Sequence, residues 1–195
     1  MSQQDWPTSV GLPQKQGMYD PKNEHDNCGI GFIANIKNRR SHEIVRQGIQ
    51  ILINLDHRGA VGADPLAGDG AGILMQLPDR LFRAEVETLG ITLPEEGDYG
   101  VGMVFLPSNK TGLNACTSSI EAAIKNEGQI LLGWRDVPVD NSDLGESVLE
   151  TEPCIRQIFI GRGDNCADTD AFERKLFVVR KQAHHLVWDD DIEDI

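Results

Sequence analysis

The apolar positions of this chain fall into two alternating rhythms. From Cys28 to Ile36, small and apolar residues alternate (Ile30, Phe32, Ala34, Ile36), which predicts a strand with one buried face. Gly29 and Gly31 weaken that strand but permit close approach by other backbone. Ser41 is a good N-cap, and Ile44, Val45, Ile49, Leu52 and Ile53 follow at helical spacing, so a helix is predicted to end near Asp56. Arg58 to Gly70 is rich in glycine and contains Pro65, the signature of a loop. Ile73 to Leu77 predicts a strand stopped by Pro78. Asp79 to Leu89 predicts a helix with Gly90 at its C′ position.

The same logic continues to the end of the chain. Strands are predicted over Tyr99–Leu106, stopped by Pro107, over Gln129–Val139, broken at Pro138, and over Ile155–Ile160. Helices are predicted over Leu113–Asn126 and Asp170–His185, where Phe172, Leu176, Val179 and Ala183 keep helical spacing. Asp140 to Glu152 is polar and reads as irregular. Residues 1–17 mix Pro, Gly, Ser and Gln and read as a loosely attached leader. Strands and helices thus alternate without a spacing that enforces a parallel sheet, and an α+β class follows.

Composition narrows the classes. At 195 residues the chain suffices for one domain with its own core. A net charge of -13 argues against nucleic acid, which needs a basic face, and against anionic membrane surfaces. Solubility is the plainer account of that charge. The four cysteines, Cys28, Cys116, Cys154 and Cys166, have no Cys-x-x-Cys spacing for zinc or dithiol chemistry and do not resemble a secreted disulfide scaffold. They fit a reducing cytoplasm.

Cys28 carries the candidate chemistry. It follows a polar, turn-rich run, Tyr19-Asp20-Pro21 through Glu24-His25-Asp26-Asn27, and begins an apolar one. If the leader were removed, the free α-amine of Cys28, with a pKa of about 7.7–8.0, could serve as a base to the thiol on the same residue. Such a thiol can attack an amide carbonyl and expel ammonia, leaving a thioester for water to hydrolyse. An oxyanion hole is also needed, each well-placed donor contributing about 3–4 kcal/mol. Arg58 has the planar fork that grips a carboxylate or carbonyl, and Gly59, Gly62, Gly68, Gly70 and Gly72 would let main chain approach Cys28 closely. Two other arrangements use the same residues. Cys28 could be a buried core thiol, or His57 could pair with it as in papain-like hydrolases. The Gly68–Gly72 run lacks the spacing and the Lys-Ser/Thr of a phosphate loop. His184 and His185 are adjacent, so on a helix they do not share a face as metal ligands would.

Four stretches, the first of them Tyr19-Asp20-Pro21, together resemble the start of the glutamine amidotransferase domain of glutamate synthase large subunits. The others are Glu24-His25-Asp26-Asn27-Cys28-Gly29-Ile30-Gly31-Phe32, Leu55-Asp56-His57-Arg58-Gly59-Ala60, and the run from Gly62 through Asp69-Gly70-Ala71-Gly72 to Ile73. The resemblance continues more loosely through Gly100–Pro107, Glu152–Arg162 and Phe172–Leu176. It implies an N-terminal nucleophile hydrolase with an αββα sandwich, of which this chain is the first part. It implies a leader over residues 1–27, cut between Asn27 and Cys28, and a partial class II domain over 28–195. Cys28 would be the nucleophile, and Arg58, Gly59, Asp69 and Gly70 would shape the pocket or position the thiol.

The activity implied is release of ammonia from L-glutamine for reductive amination of 2-oxoglutarate elsewhere in the large subunit. FMN, an iron–sulfur cluster and a small electron-donating subunit or ferredoxin are implied for the whole protein, with no cofactor or metal held by this chain. The oxyanion Asn-Gly pair and the acidic anchor for the substrate amine are expected beyond Ile195. The terminal Trp188–Ile195 run places acids at a helix C-terminus without a cap, which reads as a solvated tail or as a cut inside a larger protein. The competing expectation is an unprocessed fragment or non-catalytic module that keeps the fold.

Overall fold

A computed structural model of the chain describes residues 15–18, 20, 29–56 and 70–189. The chain divides into two compact units, Met1–Met75 and Gln76–Ile195.

In the first unit, helix α1 runs from His42 to Asn54. Ser41 stands at its N-cap with extended backbone but makes no side-chain cap bond, and the helix closes through the Leu55 N–H to the Ile51 and Leu52 carbonyls. The expected start and end are therefore right. The strand expected over 28–36 is not formed by the described residues 29–36. Ile30 and Ile36 are fully exposed and Phe32 is 89% exposed, so the alternation faces no core. The glycines supply no side chain there, and no partner strand pairs with the segment among the described residues. Asn35 instead turns the chain: its Oδ1 accepts from the Lys37 and Arg39 amides, and Asn38 adopts a positive φ. The strand expected over 73–77 is likewise absent.

The second unit is built on an antiparallel sheet. Strands β1 (Tyr99–Leu106), β2 (Ile130–Asp136) and β3 (Cys154–Gly161) take the order β1-β3-β2, with β3 paired to both neighbours. β1 matches its expected limits because Pro107 cannot continue the ladder. β2 ends short of Pro138 and carries an irregularity between Leu131 and Gly133.

Alternation along β3 divides the core. Ile158 and Ile160 face helices α3 (Lys110–Asn126) and α5 (Thr169–Asp189), where Ala123, Ile124, Phe172, Val179 and Ala183 complete one cluster. Phe159 points the other way, to Phe82 and Val86 of helix α2 (Asp79–Glu87), with Leu93 and Tyr99. The Phe82 and Phe159 rings meet edge to face at 5.4 Å. Gly100 lets α5 sit close on β1, since a Cβ there would lie 2.5 Å from Leu176 Cδ1.

Capping fixes the helix limits. α3 begins three residues before the expected start because Asn109 Oδ1 accepts from Gly112 N at 2.7 Å. Asp168 does the same for α5 through Ala171 N, also at 2.7 Å. Gly90, at φ +70°, takes the left-handed turn after α2. One element is unanticipated: a single-turn helix α4, Glu146–Leu149, inside the run expected to be irregular. Asn141 Nδ2 bridges that run to the Glu152 carboxylate at 2.8 and 2.9 Å.

A polar junction ties the sheet to α3 and α5. The Gln129 side chain, only 7% exposed, donates to the Glu127 carbonyl and to Asn165 Oδ1, and it accepts from the buried Gly163 N–H at 3.0 Å. Beside it, the Glu127 carboxylate at the C-cap of α3 accepts from Lys175 Nζ at 2.7 Å and from Gln182 Nε2. A carboxylate is unfavourable at a helix C-terminus, and Lys175 offsets it while cross-linking α3 to α5.

Candidate active site

Of the residues proposed for the site, Cys28, Arg58, Gly59 and Asp69 lie outside the described residues, as does His57. Gly70 is described. Its φ is +85°, a conformation that L side chains rarely adopt, and no atom lies within 4 Å of where a Cβ would stand. The glycine is therefore there for its backbone, and the space beside it is open. Gly72 likewise has open space at its Cβ position.

The described flanks of the site pack on α1. A Cβ on Gly29 would lie 2.8 Å from Leu55 Cδ2, and one on Gly31 would lie 2.5 Å from Ile51 Cγ2. These are closer than real Cβ contacts, so the glycines following Cys28 let the chain lie against the end of α1. The sequence led to an expectation of close approach by backbone at these two positions; what approaches is the side chains of Leu55 and Ile51. α1 thus brings Leu55, just ahead of the Asp56-His57-Arg58-Gly59 run, against Gly29, the residue after the candidate nucleophile. Gly48 accommodates Ile73 in the same way: a Cβ there would lie 2.8 Å from Ile73 Cδ1. The chain just after Gly72 therefore packs on the same helix.

Other perturbed groups in the described residues have structural causes. Tyr99 Oη donates to Asp79 Oδ1 at 2.9 Å, and Arg83 Nε donates to Asp79 Oδ2 at 2.9 Å. Arg83 also donates to the Leu93 carbonyl at 3.0 Å and to the Pro94 carbonyl at 2.5 Å. Burial, then the Asp79 carboxylate, pushes the Tyr99 phenol up to about 12. These groups close on one another and clamp the turn after α2. Cys116, Cys154 and Cys166 are free thiols. Cys116 and Cys166 are buried, and burial pushes the Cys116 thiol up, the opposite of an activated cysteine. The His184 and His185 rings are exposed and stand 5.9 Å apart, edge to face. Among the described residues, no group of three or more His, Cys, Asp or Glu could hold a metal ion, and no helix is long and apolar enough to cross a membrane.

Sequence reasoning did not anticipate the Gln129 junction. The signal was present, in that a polar residue follows Gly128 where a strand was expected to begin, but a buried amide leaves no periodic trace.

The family model for class-II glutamine amidotransferases matches residues 28–194. The chain belongs to that family. It is 47% identical over 174 residues to the glutamate synthase [NADPH] large chain of Bacillus subtilis, an alignment covering 89% of this chain and 11% of that one. It is 40% identical over 181 residues to the glutamate synthase [NADH] of Schizosaccharomyces pombe, covering 90% and 9%. It is also 36% identical over 157 residues to ferredoxin-dependent glutamate synthase 2 of a Synechocystis species, covering 80% and 10%. The chain spans about a tenth of the length of these curated relatives.

Proposed function

We propose that this class-II amidotransferase chain is the glutaminase portion of a glutamate synthase, with Cys28 as its nucleophile. The observation that carries the reading is the family match, which begins at Cys28 and runs to residue 194, together with relatives that are named glutamate synthases. The leader, residues 1–27, is removed between Asn27 and Cys28. The new α-amine, with a pKa of about 7.7–8.0, then accepts the thiol proton. The thiolate adds to the side-chain amide carbon of L-glutamine. The C–N bond breaks, ammonia leaves with the proton returned by the amine, and a glutamyl thioester remains. Water hydrolyses the thioester to glutamate and restores the thiol. Arg58, Gly59, Asp69 and Gly70 shape the pocket or position the nucleophile. Gly70 supports this through its positive φ and open flank.

The finer architecture we propose is the αββα sandwich. Helices α3 and α5 over the β1-β3-β2 sheet supply one outer layer and one inner layer. On the other face of that sheet, Met103 is 52% and Phe105 is 65% exposed, the kind of apolar surface that a second sheet buries.

Ammonia released here aminates 2-oxoglutarate in the remainder of the large polypeptide. FMN and an iron–sulfur cluster belong to that remainder. Cys116, Cys154 and Cys166 form no ligand cluster among the described residues. The donor is a small subunit or ferredoxin, and the names of the relatives divide among NADPH, NADH and ferredoxin. The cytoplasm is the proposed compartment, in keeping with three free thiols.

Replacing Cys28 with Ala in the complete polypeptide tests the reading. Glutamine-dependent glutamate formation is expected to vanish while ammonia-dependent formation persists. Survival of glutamine turnover would overturn it. A non-catalytic module would instead leave Cys28 unlabelled by an electrophilic glutamine analogue and leave residues 1–27 attached.

A further inference from the structure

We draw no further inference here: the strongest candidate, the outward face of α5 where Phe177 and Val178 lie exposed among Arg174, Arg180 and Lys181, is an unpartnered apolar patch, and nothing in the structure shows what covers it.

Discussion

Removing the Gln129 amide while keeping its bulk tests whether the polar junction, rather than the apolar core alone, holds the end of the sheet to α5. In Gln129→Leu the Gly163 N–H, buried and bonded to Gln129 Oε1 at 3.0 Å, loses its acceptor. A buried donor left unpaired costs about 1–3 kcal/mol. Three further bonds go with it: those from Gln129 Nε2 to the Glu127 carbonyl and to Asn165 Oδ1, each contributing about 0.5–1.5 kcal/mol net, and a weak one from Cys166 Sγ to Gln129 Oε1 at 3.8 Å, whose donor keeps Asn165 Oδ1 at 3.5 Å. The acceptors of the first two are not orphaned. The Glu127 carbonyl keeps the bond from Asn165 Nδ2 at 2.9 Å, and Asn165 lies at the surface, in reach of water. Leucine adds apolar burial that offsets part of the loss. The expected destabilisation is about 2–4 kcal/mol.

Urea unfolding followed by far-ultraviolet circular dichroism measures this. With a slope of about 2 kcal/mol per molar, the midpoint should fall by about 1–2 M with the slope unchanged. Asn165→Ala is the control. It removes the bond from Gln129 Nε2 and the exposed bond from Asn165 Nδ2 to the Glu127 carbonyl but leaves Gly163 N–H paired with Gln129, so it should cost about 1–2 kcal/mol, at the low end of two such bonds because Asn165 lies at the surface. Each variant loses one bond to the Glu127 carbonyl and the bond between Gln129 and Asn165, but only Gln129→Leu orphans the buried Gly163 N–H, so a midpoint for Gln129→Leu no lower than that for Asn165→Ala would refute the reasoning.

The remaining expectations concern other groups of the second unit. Gly163→Ala would place a Cβ 1.9 Å from the Gly128 carbonyl oxygen, a backbone clash that no rotamer relieves, so its unfolding midpoint should fall further than that of Gln129→Leu. Ultraviolet titration should show one of the two tyrosines ionising only at about 12 while the protein is folded, and Tyr99→Phe should abolish that step. Because the folded phenol is held above its ordinary value of 10.0, its contribution is fully present below that pH and is lost as pH rises towards 12. Glu127 behaves in the opposite sense. The Lys175 hydrogen bond holds its carboxyl below the ordinary 4.5, so the stability it adds is present above that pH and is lost as pH falls through the folded value. Lys175→Met should therefore flatten the acid side of the stability profile, as read from urea midpoints between about pH 6 and pH 3.

Which parts of this structure the sequence revealed follows from where each signal resides. α5 announced itself because burial of Phe172, Val179 and Ala183 on one face imposes a period, α1 because its apolar residues keep helical spacing after Ser41 although none of them is buried, and β1 because Pro107 punctuates the chain at its end. The start of α3 slipped by three residues because Asn109 caps through a side-chain oxygen before the apolar period begins. The strands expected at 28–36 and 73–77 failed for a different reason. Alternation records only that a face should be buried, whereas a ladder needs a partner, and none pairs with them among the described residues.

Period was never the source of the candidate site. Cys28 was found because base and nucleophile can share one residue when a polar leader ends at a cysteine, and that is chemistry written in adjacent positions. Gly29 and Gly31 were legible for a related reason. An absent side chain matters only where something else approaches, and Leu55 and Ile51 are what approach. Gln129 was not legible by either route, because a satisfied buried amide depends on Asn165 and Gly163 more than thirty residues away. Local sequence encodes local constraint, so the parts of this domain visible beforehand are those whose physical cause lies within a few residues, and the junction joining its sheet to its helices is not one of them.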